Sequence, residues 1–271
     1  MDHGIHFISG LPRSGSTLLS AILRQNPRLH ANITSPVGPL VLGALHEMSA
    51  ASESSVFVDD ATRQAVLRGI FDGFYHAIHP AKTVIDTNRL WCSKAPALKS
   101  LYPQAKIICC VRDMPWVYDS VERLIQRNAL TPSRIFGFDA SGTVYDRFEI
   151  LNRSNGMVGF AWNGLRQAFY GSDPQRLMLL TFETLTSAPA RAIEAVYGFL
   201  GLEPCAHDFE NIAFDVSAFD GYLGTPGLHS VGRRVDVSSR RTILPPELYN
   251  RVVGDTFWRD PAQNPGGVLV V

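Results

Sequence analysis

The sequence predicts an α/β fold in which a parallel sheet is flanked by helices on both faces, and three observations carry that expectation. Short apolar runs that read as fully buried strands recur along the chain, and stretches of helical period alternate with them. The first of these runs also leads directly into a glycine-bearing loop and a helix. With 271 residues the chain is long enough to bury a substantial core, and residues 1–271 read as one domain.

The first strand is Ile5-His6-Phe7-Ile8, and the loop after it reads Ser9-Gly10-Leu11-Pro12-Arg13-Ser14-Gly15-Ser16-Thr17. Its frame is P-loop-like, with Gly10, Gly15 and a closing Thr17, but Ser16 stands where ATP- and GTP-binding loops have their lysine. Backbone N–H groups at a helix start lack intrahelical acceptors and sit in the positive end of the helix dipole, so such a loop is a phosphate cradle. The Ser14, Ser16 and Thr17 hydroxyls add donors, and Arg13 supplies the cation. Leu18, Leu19, Ile22 and Leu23 continue as one helix face until Asn26-Pro27.

A second helical face carries Val66, Leu67, Ile70, Phe71, Phe74, Tyr75 and Ile78, with His76 and His79 as surface residues at its edge. Thr83-Val84-Ile85 reads as a strand ending at Asp86, and Lys106 to Val111 as another ending at Arg112-Asp113. Pro115 opens a helix with Val117, Val121, Leu124 and Ile125 on one face, and Ser120 lies in its early turns. A fourth strand, Leu177 to Phe182, precedes a helix marked by Ile193, Val196, Tyr197 and Leu200 and closed by Gly201. Two segments, about 129–156 and 205–241, lack clear periodicity and read as lid or acceptor-binding loops. The tail from Asp260 reads as a surface or frayed segment.

Twenty-five basic residues balance twenty-five acidic ones, which argues against general nucleic-acid binding and against a polybasic membrane patch. Any anion site must therefore be local. Cys92, Cys109, Cys110 and Cys205 lack metal-ligand spacing and read as reduced thiols, with Cys109 and Cys110 on opposite faces of a strand. No metal site is expected. The first apolar run is too short for a signal peptide or a membrane span, so the expected compartment is the cytoplasm. Oligomeric state is not legible.

Several motifs in order carry a resemblance: Gly-Leu-Pro-Arg-Ser-Gly-Ser-Thr, Lys94-Ala-Pro, the strand leading to Arg112-Asp113 with Ser120, and Phe182-Glu183-Thr184-Leu185 before the helix ending Phe199-Leu200-Gly201. Over residues 5–125 and 177–202 the chain resembles the sulfotransferase superfamily, within it bacterial members and the tyrosylprotein sulfotransferases. The resemblance implies the sulfotransferase fold and the donor 3′-phosphoadenosine 5′-phosphosulfate (PAPS), without a metal. It places the 5′-phosphosulfate on Arg13, Ser14, Gly15, Ser16 and Thr17, the 3′-phosphate on Arg112 and Ser120, and adenine on Phe182, where the family has a tyrosine. It gives Arg13 and Lys94 catalytic roles at the transferring sulfuryl group. Family members close a basic loop over the 3′-phosphate, and of Arg233, Arg234, Arg240 and Arg241 the preferred donor is Arg240.

The glutamate base of the tyrosylprotein enzymes has no counterpart in Ile33-Thr34-Ser35-Pro36-Val37-Gly38, which leaves Asp86, Glu47 and Lys94 as candidate bases. The acceptor is expected to bear a hydroxyl, on a peptide tyrosine or a small-molecule or sugar alcohol. Its pocket is expected near residues 36–47 and between 129 and 162, with Phe136, Phe138, Tyr145 and Phe148 as candidate walls. The alternative readings are a P-loop kinase of a small substrate, which the missing lysine opposes, and a nucleotide-binding protein without turnover.

Overall fold

In the computed structural model, residues 4–78, 81–139, 141–235 and 240–271 are described; His79 lies outside them. Six strands form one parallel sheet: β1 (Ile5–Gly10), β2 (Leu29–Ala31), β3 (Thr83–Thr87), β4 (Ile107–Val111), β5 (Leu177–Thr181) and β6 (Leu269–Val270). The helices are α1 (Ser16–Leu23), α2 (Val37–Glu47), α3 (Asp60–Tyr75), α4 (Ala95–Leu101), α5 (Met114–Arg127), α6 (Val144–Asn152), α7 (Met157–Phe169), α8 (Phe182–Ser187), α9 (Pro189–Leu200), α10 (Ser217–Tyr222) and α11 (Pro246–Val252).

The strands are mostly apolar and buried because both faces of the sheet are covered. Side chains alternate across it. Phe7, Ile107, Cys109 and Val111 enter one core with Phe71, Trp91, Val117 and Leu165, while Ile8, Ile108 and Cys110 enter the other with Leu19, Ile22, Val196 and Tyr197. The adjacent cysteines thus part to opposite faces, and all four thiols are free.

The strand order β2-β3-β1-β4-β5-β6 decides where a ligand goes. From β1 the chain leaves toward β2 and β3, whereas from β4 it leaves toward β5, so the loops after β1 and β4 diverge and open a crevice at their carboxyl ends. Gly10 pairs with Cys110 at that point, and its φ of 105° together with a backbone carbonyl 2.2 Å from where a Cβ would stand excludes any side chain.

The elements not legible in the sequence include β6, α6 and α10. The tail does not fray: Val268 is buried, and Leu269–Val270 add the parallel edge strand β6 against Met178 and Leu179. Within the two irregular segments, α6 is secured by a capping box between Thr143 and Asp146, and α10 supplies a short helix.

His6 is a pH-sensitive element of this sheet. Burial, reinforced by the Lys106 and Arg176 charges, pushes its pKa down to about 4, and its Nδ1 accepts the Lys106 N–H at 3.1 Å. An unfolded ring takes its proton near pH 6.5, so between 6.5 and 4 the unfolded chain binds more protons and stability falls as pH drops; above 6.5 the contribution is complete. The expected loss across that window is about 3 kcal/mol, read by urea unfolding at stepped pH, and His6→Asn, which keeps an acceptor, is expected to flatten it.

Candidate functional site

The loops after β1 and β4 line a cavity of about 910 Å³ together with residues of 219–235 and Arg240. Gly15 caps α1 at φ 94° with no side-chain capping bond, so the first-turn N–H groups face the cavity without a side-chain acceptor. A Cβ on Gly15 would stand 3.0 Å from Leu185 and 3.2 Å from Phe182, which fixes how closely α8 packs on the loop.

Arg13, Gly15, Ser16, Thr17, Arg112, Ser120, Phe182 and Arg240 all line this one cavity. Arg13 holds a left-handed backbone, φ 59°, and its guanidinium crosses to the far wall, where Nε donates to Ser120 Oγ at 3.0 Å and Nη1 donates to the Leu228 carbonyl. Arg112 leaves the end of β4, donates from Nη1 to the Arg13 carbonyl at 3.3 Å and lies 4.0 Å from the centre of the Phe182 ring. Arg240 is 2.8 Å from Asp119, the neighbour of Ser120 on α5. Asp119 also accepts from Arg123, from the Thr242 hydroxyl and from the Ile243 N–H, and so anchors the returning C-terminal segment beside the cavity.

The electrostatics are those of an anion site. Burial and the neighbouring Arg240 and Arg13 charges push the Arg112 pKa down to about 10, with Glu183 and Asp119 opposing. Burial likewise pushes Arg13 down to about 10, with Asp220 opposing and Arg240 and Arg127 adding repulsion. Among the described residues the buried Nε atoms of Arg112 and Arg240 have no hydrogen-bond partner. A buried donor without an acceptor is costly, and an anionic ligand between these arginines would supply acceptors.

Three residues expected at the site lie outside the cavity lining. Asp86, expected as a catalytic base, lies in the core, 1% exposed, where it accepts from Ser35 at 2.6 Å, Tyr75 at 2.5 Å and Trp91 at 2.7 Å. Burial raises its pKa against these three bonds, and it does not line the cavity. Lys94, expected at the transferring group, ends a tight turn over Arg89–Lys94 and lies outside the lining. At three residues per turn, positions 89 and 94 fall on different faces, and it is Arg89 that reaches the cavity. Ser14 is buried with its hydroxyl on the Pro12 carbonyl at 3.3 Å, so it adds no side-chain donor.

Glu47 is exposed on α2, away from the cavity. The expected aromatic walls also lie elsewhere: Phe148 stacks on Tyr118 in the core with centroids 4.3 Å apart, Phe136 is buried, and Phe138 and Tyr145 are exposed. Among the described residues of 129–162, Met157 lines the cavity.

Sequence reasoning missed Arg89; it read 205–241 as a lid or acceptor-binding segment but did not single out the residues of 217–235 that build a wall of the cavity. Arg89 is open to the cavity, burial lowers its pKa, and no ion pair holds it among the described residues. Its turn is tied to β1 by Ser9, whose Oγ donates to the Arg89 carbonyl and accepts the Cys92 N–H, both at 3.2 Å. Phe219, Leu223, Leu228, His229 and Val231 supply a more apolar part of the lining. No spacing rule could have found them, although the unabsorbed Arg13 partner at Leu228 marks where that wall meets the loop.

Comparison with known proteins follows the same lines. The family model described as "Sulfotransferase family" matches residues 6–207. Protein-tyrosine sulfotransferase 2 of Gallus gallus is 25% identical over 206 residues, 72% of this chain and 50% of its own length. Protein-tyrosine sulfotransferase 1 of Danio rerio is 34% identical over 148 residues, 52% of this chain and 39% of its own length. The chain therefore spans half or less of these curated relatives. Among solved structures, a sulfotransferase from Alicyclobacillus acidocaldarius superposes with TM-score 0.55 at 14% identity, covering 98% of this chain and 95% of that one. The mouse sulfotransferase SULT7A1, solved in complex with PAP, gives TM-score 0.52 at 14% identity, covering 96% of this chain and 84% of that one. These structures share the α/β fold, and the match over residues 6–207 shows that the chain belongs to the sulfotransferase family.

Proposed function

We propose that this chain transfers a sulfuryl group from PAPS to an acceptor hydroxyl. The observation that carries the reading is the convergence of Arg13, Arg112, Ser120 and Arg240 on one cavity, with the Arg112 and Arg240 Nε atoms unpartnered among the described residues. PAPS supplies an activated sulfuryl group on a 5′-phosphate and carries a second, 3′-phosphate. Arg112 and Ser120 are suited to the 3′-phosphate, Arg240 to its outer side, and the Phe182 face to the adenine. The loop N–H groups, Ser16 and Thr17 are suited to the 5′ end, where negative charge grows on the leaving oxygen as the sulfuryl group departs, and Arg13 joins them by turning from Ser120, which the 3′-phosphate takes up.

Arg89 takes the place that sequence assigned to Lys94, as the cation on the acceptor side of the loop. The chemistry here is positioning and charge neutralisation, which needs fixed donors more than mobile ones. The acceptor wall of Phe219, Leu223, Leu228 and Val231 suits an apolar or aromatic alcohol, and the protein-tyrosine sulfotransferases among the relatives favour a peptide tyrosine as the first acceptor to try.

Calorimetric titration with 3′-phosphoadenosine 5′-phosphate (PAP), alongside ATP with magnesium, tests the donor. PAP is expected to bind at micromolar concentration, and Arg112→Ala is expected to weaken it by about 1.5–3 kcal/mol, the scale of a charged hydrogen bond. Binding of ATP alone, or of neither nucleotide, would reject the reading.

A further inference from the structure

We propose that His229 is the general base that deprotonates the acceptor hydroxyl, held in its working tautomer by Asp220, and this rests on the donor reading above. His229 lines the cavity next to Leu228, whose carbonyl accepts from Arg13 of the phosphate loop. Its Nδ1 lies 2.6 Å from Asp220 Oδ1, and its backbone N–H donates to Asp220 Oδ2 at 2.8 Å. A carboxylate that accepts at both oxygens assigns the ring proton to Nδ1 and leaves Nε2 with its lone pair. Among the described residues nothing bonds to Nε2.

The position is built. Asp220 is 1% exposed on α10 and cannot turn to solvent. The loop from Asp220 to His229 is pinned at several points: Ser133 and Thr225 share a hydrogen bond of 2.6 Å, Asn128 donates to the Pro226 carbonyl at 3.0 Å, and Arg13 donates to the Leu228 carbonyl. Gly224, at φ 62°, could carry no side chain without striking the Pro132 carbonyl at 2.7 Å. The Phe219 ring packs against His229 with centroids 5.6 Å apart.

The charges facing the ring suit a base. Burial lowers the His229 pKa below its ordinary value, with Arg13 from the loop after β1 and Arg89 from the turn after β3 adding to it and the Asp220 carboxylate of α10 opposing. His229 is therefore neutral near pH 7 and able to accept a proton. Asp220 touches no reacting atom and is a positioning residue.

In the step itself the acceptor oxygen forms a bond to sulfur while its proton passes to His229 Nε2. The bond between sulfur and the 5′-phosphate oxygen breaks, and its electron pair leaves with that phosphate, beside Arg13 and the loop N–H groups. The products are the sulfate ester and PAP, and the imidazolium returns its proton to water. The fold thus brings the base from the segment after residue 207, where the family match ends, and not from Asp86, Glu47 or Lys94.

The test separates this proposal from the donor reading. PAP titration and turnover of sulfur-labelled PAPS are measured on wild type, His229→Gln and Asp220→Asn, with a tyrosine peptide, 4-nitrophenol and water as acceptors. His229→Gln is expected to bind PAP like wild type, to keep the KM for PAPS, and to lose about 10²–10⁴-fold in kcat toward the tyrosine peptide, less toward the more acidic 4-nitrophenol. Asp220→Asn removes the charge that raises the His229 pKa, so the acid limb of its kcat/KM profile is expected to move to lower pH, which a purely structural role would not do.

Undiminished kcat in His229→Gln, or an unmoved acid limb, would overturn the proposal while leaving PAP binding intact. Failure of wild type to bind PAP would instead overturn the donor reading and this step with it. If none of the three acceptors turns over, ring nitrogen resonances of the PAP-bound protein decide. A protonated Nε2 at neutral pH overturns the assignment, and a bare one supports it.

Discussion

Arg13→Ala is expected to lower the kcat of sulfuryl transfer by about 10²–10³-fold, the scale of losing one fixed donor to developing charge. The fold is expected to stay within about 1 kcal/mol of wild type. The two expectations separate because of how Arg13 is held. Its backbone is left-handed at φ 59°, but alanine carries the same Cβ and meets the same backbone cost, so the substitution changes no strain. The variant loses the bonds to Ser120 and Leu228, and it also relieves the repulsion that Arg240 and Arg127 exert on the guanidinium. Single-turnover kinetics with labelled PAPS and thermal unfolding of the same preparation check both sides. A fall in kcat matched by a large fall in Tm would assign Arg13 to the scaffold.

Asp86→Ala is expected to do the reverse, costing about 3–5 kcal/mol of stability, since three buried donors lose their acceptor at once and each costs about 1–3 kcal/mol when left unpaired. Ser35 enters from the segment before α2, Tyr75 from the end of α3 and Trp91 from the turn after β3, so the carboxylate ties three segments to the sheet. Burial raises the Asp86 pKa, hence the folded chain holds this proton more tightly than the unfolded one. Stability from this group is then greatest below its unfolded value near 3.8 and declines as pH rises through the raised folded value. Asp86→Asn removes the buried charge but turns an amide N–H₂ toward one donor, so a smaller loss is expected. Urea unfolding of the three proteins measures this. A folded Asp86→Ala protein of wild-type stability that has lost only turnover would restore Asp86 as a base.

The contrast between Arg13 and Asp86 shows what could be read from sequence and what could not. The phosphate loop is local: strand, glycines, hydroxyls and helix start follow one another within a dozen residues, and the apolar runs of β1, β3, β4 and β5 are long enough to read as buried strands. Strand β2 has three residues and β6 two, too few for any period to emerge, and only their parallel pairing with β3 and β5 makes them strands. Asp86 at a strand end resembles a cavity carboxylate until Ser35, Tyr75 and Trp91 arrive from separate segments and enclose it. Lys94 and Arg89 are both basic residues after the same strand, and only the pitch of the turn between them decides which one enters the cavity. Asp220 and His229 sit nine residues apart in a stretch without periodicity, joined by a loop that Ser133, Asn128 and Arg13 hold from outside.

The cations of the cavity come from positions 13, 89, 112, 234 and 240, that is, from nearly the full span of the described chain. An anion gripped by Arg13 and Arg240 together is in effect a reversible cross-link closing one very long loop. Closing such a loop costs entropy that grows only slowly with its length, and the folded sheet has already met that cost before the ligand arrives. The unfolded chain offers no comparable grip, so ligand occupancy and folding are linked equilibria, and the free energy of unfolding climbs with the logarithm of ligand concentration once it exceeds Kd.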